Sequence, residues 1–172
     1  MTTQARAFPI FILAPSAVVL GGALLSQYWG GLAPCELCLK ERWPWTAAIV
    51  ISFVATTTTS RRPTSPRIVL LLGLIFAVST ALAFYHVGVE QHWFAGPSAC
   101  TAAGGTPTTL EAPKAQLLHQ QPVRCDEPAW VLFGISLAGW NLLASLAMVG
   151  ICLVMLFQLR SKGRSSFGRR IA

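Results

Sequence analysis

Four long apolar stretches constrain this chain more than any other feature of its sequence. They cover residues 8–29, 43–59, 68–87 and 130–157, and about 20 apolar residues in a helix cross a bilayer core. Of the 172 residues, 53% are hydrophobic and only 11% are charged, whereas a soluble domain carries about 25% charged residues. The sequence therefore predicts one all-α membrane domain over residues 1–172, a four-transmembrane-helix bundle. Small residues are expected to pack its helices: Gly21, Gly22, Ala138 and Gly139.

The basic residues are divided unevenly between the two sides of this bundle. One side holds nine of the 13 Lys and Arg residues and no acid: Arg6, Arg61, Arg62, Arg67, Arg160, Lys162, Arg164, Arg169 and Arg170. The other side holds the remaining four and all six acids. The positive-inside rule places the basic side in the cytoplasm, so both termini are cytoplasmic and loops 30–42 and 88–129 face outward. The net charge of +7 thus reflects topology and indicates no nucleic-acid partner.

The two outer loops carry four of the five cysteines. Cys35 and Cys38 lie in the first loop, and Cys100 and Cys125 lie in the second. Both loops are expected to face an oxidising compartment, where disulfides persist. The spacing fits a zinc site poorly, because such sites use two tight pairs of ligands. A structural disulfide suits Cys100 and Cys125 taken alone, but a four-residue ring at Cys35 removes little chain entropy. A redox role uses all four, whereas Cys152, inside the fourth stretch, is expected to be a packing residue.

Several polar residues near the outer membrane face are candidate partners for redox chemistry. Arg42 follows Cys38 by four residues, which puts both on one face of a helix that starts near Leu39. A guanidinium and a helix N-terminus both lower a thiol pKa, so Cys38 is the expected thiolate. His86 and Glu90 share the same spacing at the outer end of the third stretch, where ionisable residues are candidates for function. A quinone would match a two-electron thiol couple in a membrane.

The motifs "PCELCLKER", "YHVGVE", "AGPSAC" and "RCDEPAWVLFGISLAGWN" resemble, in family order, the disulfide bond formation protein DsbB family and its DsbI-like relatives. The resemblance covers nearly the whole chain. It implies a bacterial inner-membrane, quinone-dependent protein dithiol oxidoreductase with two periplasmic loops. Its implied partner is a periplasmic DsbA-like thioredoxin-fold protein, and its implied cofactor is ubiquinone or menaquinone.

The resemblance also implies a role for each candidate residue. The partner attacks a Cys100–Cys125 disulfide at Cys100, and Cys125 then exchanges with Cys35. Cys38 faces the quinone, with Arg42 assisting its binding, and His86 and Glu90 lie at the quinone end of the third helix.

Two other functions remain open from the sequence. A vitamin K epoxide reductase-like protein also combines four helices with two cysteine pairs, but its quinone-side pair follows the loop pair in sequence. A non-catalytic membrane adaptor with structural disulfides is the second alternative.

Overall fold

Four long helices make up most of the described chain. The computed structural model describes residues 3–58, 64–97 and 124–168, and the second cysteine loop between 98 and 123, with Cys100, lies outside them. The helices are α1 Thr3–Tyr28, α2 Glu36–Thr58, α3 Pro66–Glu90 and α4 Leu137–Gly168. Two short strands, β1 Val131–Leu132 and β2 Ile135–Ser136, precede α4.

Three helices of the described chain are long and apolar enough to cross a membrane: Ala7–Tyr28, Pro66–Glu90 and Leu137–Ser161. This confirms a helical membrane protein. The fourth predicted span belongs to α2, whose first two turns contain Glu36, Lys40, Glu41 and Arg42 and whose end is rich in threonine. These polar residues lower its hydropathy, so a fourth crossing by α2 stays a prediction.

The start of the last predicted span is wrong. The apolar run begins at Trp130, but residues 131–136 form an antiparallel hairpin and the helix starts only at Leu137. Phe133 and Gly134 connect the strands with φ values of 53° and 80°. Two consecutive positive φ values are typical of a tight two-residue hairpin turn, and they are incompatible with a continuous helix. Hydropathy alone does not distinguish this hairpin from a first helical turn.

Local signals explain where two of the helices begin. Ser65 caps α3 by accepting a hydrogen bond from the Arg67 backbone N–H at 3.3 Å, and Pro66 occupies the first turn. Proline suits that position because its missing N–H has no helical partner there. Helix α2 starts at Glu36, three residues before the expected start, and continues through Pro44.

The core draws buried residues from all four helices, including Phe8 and Ile12 of α1. Trp45 packs edge-to-face on Phe76 with ring centroids 5.3 Å apart, and the Ser79 and Ser145 hydroxyl groups are hydrogen-bonded at 2.8 Å. Cys152 is fully buried in the same core, which confirms its packing role. The predicted packing role of two glycines is wrong, because a Cβ at Gly21 or Gly22 meets no atom within 4 Å.

Candidate functional site

Cys35 and Cys38, here called the inner pair, lie at the N-terminus of α2. Cys35 immediately precedes the helix, and its Sγ accepts the Cys38 backbone N–H at 3.1 Å. Its carbonyl oxygen accepts the Leu39 N–H at 3.1 Å. Cys35 therefore occupies the N-cap position, where a side-chain acceptor satisfies an otherwise unpaired N–H of the first turn. Both cysteines are free thiols; Cys35 is buried and Cys38 is half-buried.

This placement separates the acidities of the two thiols, which lie before the apolar part of α2. The hydrogen bond from the Cys38 side chain, helped by the Cys38 and Leu37 backbone N–H groups, lowers the pKa of Cys35. The same hydrogen bond, together with burial, raises the pKa of Cys38. In the dithiol form these interactions favour Cys35 as the more acidic thiol, so the expected role of Cys38 as the thiolate stays a prediction.

A buried chain of hydrogen bonds runs from Cys35 into the helix bundle. His86 Nε2 lies 3.6 Å from Cys35 Sγ, and His86 Nδ1 donates to Glu41 Oε1 at 2.8 Å. Asn141 Nδ2 donates to Glu41 Oε2 at 2.7 Å, and Trp45 Nε1 donates to Asn141 Oδ1 at 2.8 Å. His86 and Glu41 are only 3% and 7% exposed. Each polar group thus fixes the orientation of the next, and His86 Nε2 is directed at the thiol.

A cavity of about 360 Å³ lies between α1, the start of α2, His86 of α3 and the start of α4, and it is also lined by Ala129 and Trp130. Its lining is mainly apolar, and its polar groups are Ser26, Cys38, Glu41, Arg42, His86 and Asn141. Cys35 is not among the described residues that line it. Drug-sized ligands occupy apolar pockets of this size that carry a few oriented polar groups. The cavity therefore has a suitable size and lining for an apolar ring with polar substituents.

Arg42 connects this cavity to α1. Its guanidinium donates to Gln27 Oε1 at 2.6 Å and to the Ala23 carbonyl at 3.4 Å. Arg42 and Cys38 line the same cavity, as their spacing predicts. The guanidinium is thus held by α1 at the cavity wall.

Glu90 is not among the described residues that line the cavity. Its carboxylate accepts a short hydrogen bond from the Ser136 hydroxyl, and Ser136 Oγ accepts the Gly139 N–H at 3.1 Å. This arrangement connects the end of α3 to the hairpin and the start of α4. In this structure Glu90 thus supports the turn that holds the cavity wall.

Of the second pair, Cys100 and Cys125, here called the outer pair, Cys125 lies within the described residues. It is disulfide-bonded and only 1% exposed, and it packs in one buried cluster with Cys35, Leu37 and Val89. Its predicted partner, Cys100, lies outside the described residues, so that pairing stays a prediction. The fold therefore brings Cys125 into the same buried cluster as Cys35.

Sequence reasoning missed two residues of this site, Glu41 and Asn141. Glu41 comes just before the apolar stretch 43–59 and Asn141 lies inside the stretch 130–157, and polar residues at membrane depth are expected to be functional. That signal could have identified them. Their mutual contact, across 100 residues of sequence, could not be inferred from spacing.

Comparisons with known proteins agree on one family. The family model described as "Disulfide bond formation protein DsbB" matches residues 5–155. A protein named disulfide bond formation protein B from Haemophilus influenzae is 30% identical over 89% of this chain and 88% of its own. Another from Aromatoleum aromaticum is 27% identical over 92% and 95%. An uncharacterized protein of Rickettsia prowazekii is 28% identical over 88% of both chains. No solved structure matches the chain significantly.

Proposed function

This chain belongs to the disulfide bond formation protein DsbB family, and we propose that it reoxidises a periplasmic DsbA-like thioredoxin-fold protein with membrane quinone as acceptor. Family membership makes it a membrane protein of disulfide bond formation. The observation that supports the finer proposal most directly is the position of the inner pair. Cys35 packs against the disulfide-bonded Cys125 on one side, and Cys38 faces the cavity on the other.

The outer exchange begins at Cys100 in this proposal. Cys125 is 1% exposed, so a folded partner has no access to its sulfur. A thiolate of the partner attacks Cys100, the Cys100–Cys125 bond breaks, and Cys125 leaves as a thiolate. A second partner thiol then releases Cys100, which leaves the partner oxidised by two electrons and this chain reduced by two.

The inner exchange transfers those electrons to the Cys35–Cys38 pair in two steps. Cys125 attacks Cys35 of the oxidised inner pair, the Cys35–Cys38 bond breaks, and Cys38 leaves as a thiolate. Cys100 then attacks Cys125, which restores the Cys100–Cys125 disulfide and releases Cys35. While Cys35 is bonded to Cys125, it no longer forms the hydrogen bond that raises the pKa of Cys38 in the dithiol. The largest cause of the raised pKa of Cys38 is then lost, and Cys38 lines the cavity together with Arg42. This supports Cys38 as the cavity-side thiolate, although Cys35 is the more acidic thiol of the reduced pair.

The cavity residues fit a quinone ring. When bound, ubiquinone or menaquinone supplies a two-electron, two-proton acceptor. The apolar wall accommodates the ring, while Arg42, held by Gln27 and Ala23, presents positive charge to a carbonyl oxygen. His86 lies between Cys35 and Glu41, where it is placed to take a thiol proton while Glu41 balances the charge. Glu90, also assigned to the quinone end by the resemblance, has a positioning role here, through Ser136.

The proposed setting is the bacterial inner membrane, with α2 as a fourth span. Both termini then lie in the cytoplasm, and loops 30–42 and 88–129 lie in the periplasm. The uneven distribution of basic residues supports this orientation. The partner's identity as DsbA-like, and the place of this chain in the DsbB or the DsbI-like branch, rest on the family resemblance.

The decisive experiment is catalytic oxidation of a reduced thioredoxin-fold partner by purified full-length protein supplied with quinone. We expect many turnovers for the wild type and none for Cys38→Ser. We also expect Arg42→Met to slow quinone reduction while still allowing one stoichiometric transfer of the outer disulfide. The Cys152→Ser variant is the matched control, because that thiol is buried in the helix core.

Two results would contradict the proposal. Partner oxidation limited to one equivalent in the wild type would favour a structural adaptor. Turnover that persists in Cys38→Ser would exclude Cys38 as the electron exit. A vitamin K epoxide reductase-like route is disfavoured by the order of the cysteine pairs, since here the pair whose Cys38 lines the cavity comes first in the chain.

A further inference from the structure

A second chemistry is available to the inner pair when it is reduced. Cys35 Sγ, Cys38 Sγ and a ring nitrogen of His86 all lie within 4.8 Å of one another. Thiolate and imidazole are the ligands that zinc prefers, and zinc sites with an open position use three protein ligands. We infer that the reduced Cys35–Cys38–His86 cluster is a Zn²⁺ site that exists only in the dithiol state.

The measured geometry suits a tetrahedral ion. With Zn–S of about 2.3 Å and Zn–N of about 2.0 Å, two tetrahedral ligands lie about 3.5 Å apart. Cys35 Sγ and His86 Nε2 are 3.6 Å apart. These two ligand atoms are therefore already at the separation that a tetrahedral zinc ion requires. Only a small movement of Cys38 is needed to bring its Sγ to the same ion.

The surroundings of the cluster provide the second requirement of a zinc site. A ligating histidine almost always donates its other ring N–H to a carboxylate or carbonyl, which fixes its tautomer. His86 Nδ1 donates to Glu41, and Asn141 and Trp45 hold Glu41 in turn. This arrangement leaves Nε2 free to bind a metal on the side of the thiols.

The charge and the open position also favour Zn²⁺. Two thiolates neutralise a divalent cation, and binding releases the two thiol protons. Cys38 and His86 both line the cavity, so a water molecule can take the fourth position. Arg42 is the cation that faces this cavity, and its guanidinium is hydrogen-bonded to α1. Oxidation to the disulfide removes both sulfur ligands and releases the metal.

The consequence for the proposed function is inhibition. A zinc-bound dithiol cannot pass its electrons to the cavity, so Zn²⁺ would hold the chain in its reduced form. The binding itself needs only the two thiols and the imidazole. It is therefore independent of the quinone reaction, and a failure of either one leaves the other standing.

The test uses Co²⁺ and Zn²⁺ on detergent-solubilised full-length protein in which Cys100 and Cys125 are serine. With Co²⁺, the reduced protein should show thiolate-to-cobalt charge-transfer and tetrahedral visible bands. The same sample oxidised to the Cys35–Cys38 disulfide should show neither, a comparison that needs no further substitution. Zn²⁺ should displace Co²⁺ at one ion per chain.

Variants identify the ligands. Cys35→Ser and His86→Ala should lose the tetrahedral bands, and Glu41→Gln should weaken Zn²⁺ binding by about 10- to 100-fold, as expected for the partner of a ligating histidine. His92→Ala is the matched control, because His92 is exposed at the same end of α3, and it should bind as the parent does. Equal spectra for oxidised and reduced protein, or full binding in Cys35→Ser, would overturn the inference.

Discussion

Among single residues, Cys35 shows how position decides reactivity. It has the same side chain as Cys38, but it lies at the N-cap of α2 and accepts the Cys38 backbone N–H. An N-terminal helix end stabilises negative charge, so the first cysteine of the pair gains this stabilisation. The second cysteine instead donates its S–H to the first. The direction of the pKa difference thus follows first from the hydrogen bond between the two side chains, and the backbone N–H groups at the start of α2 add to it.

This residue-level difference can be measured by following thiolate absorbance against pH, in a background with Cys100 and Cys125 as serine. The Cys38 side chain lowers the pKa of Cys35 by donating a hydrogen bond. Cys38→Ser keeps a donor, so Cys35 should still ionise below the usual thiol range. Cys38→Ala removes the donor, so ionisation should move to higher pH. An identical titration for both variants would show that the Cys38 donor has no effect.

At the scale of secondary-structure elements, the end of α3 is the tightest part of the site. The Trp93 and Phe94 N–H groups both donate to the Gly88 carbonyl, at 2.7 and 3.2 Å. The Phe94 ring lies directly on the Gly88 backbone and stacks on Tyr85 with centroids 5.9 Å apart. A side chain at Gly88 would occupy the volume of this ring. The turn that leads toward the second loop therefore depends on the absence of a Cβ.

Gly88→Ala should for this reason destabilise the protein by about 1–3 kcal/mol, the usual cost of overpacking. Thermal unfolding in detergent measures the effect as a lower Tm. Gly73→Ala in the same helix is the control, since its nearest new contact, the Cys152 Cβ, is at 3.4 Å and alanine favours a helix. A Tm for Gly88→Ala equal to that of Gly73→Ala would mean that Phe94 moves away at little cost.

At the scale of the whole molecule, the cavity is lined by residues of all four helices. Gly22 of α1 lines it, and a Cβ there meets no atom within 4 Å. Gly22→Leu should therefore fill part of the cavity without a clash and weaken quinone use about tenfold, a loss of about 1.4 kcal/mol. Steady-state quinone titration measures this change.

Gly21→Leu is the matched control for the cavity. Gly21 also has open space around it, but it is not among the described residues that line the cavity. Its apparent quinone affinity should match that of the wild type. Equal effects of the two substitutions would place the quinone elsewhere in the protein.

Orientation is the other property of the whole molecule. The structure supplies two exposed reporter positions at opposite ends of the bundle, Thr57 at the end of α2 and Trp93 after α3. In a cysteine-free background, an impermeant maleimide should label Trp93→Cys in intact spheroplasts and leave Thr57→Cys unlabelled. The reverse pattern would overturn the proposed topology.

The sequence alone determined the helical membrane class and pointed to Cys35, Cys38, Arg42 and His86, but not to Glu41 and Asn141, as residues of the candidate site. Three spans are recognisable because a continuous apolar run is a local property, and helices satisfy their own backbone groups in lipid. The place of Arg42 beside Cys38 at the cavity wall followed from helical spacing for the same reason. The start of α4 could not be inferred from the sequence, because residues 131–136 are as apolar as a helical segment but form a hairpin that turns at Phe133 and Gly134.

Only the tertiary structure decided how these residues act together. His86 contacts Cys35 across 51 residues and Glu41 across 45, and Asn141 contacts Glu41 across 100. Helix packing, rather than spacing along the chain, sets such distances. It also directed the α2 N-terminus at Cys35, buried Cys125 against it and turned Glu90 toward Ser136. A charge or a thiol is visible in the sequence, but its partner is fixed only when separate helices meet.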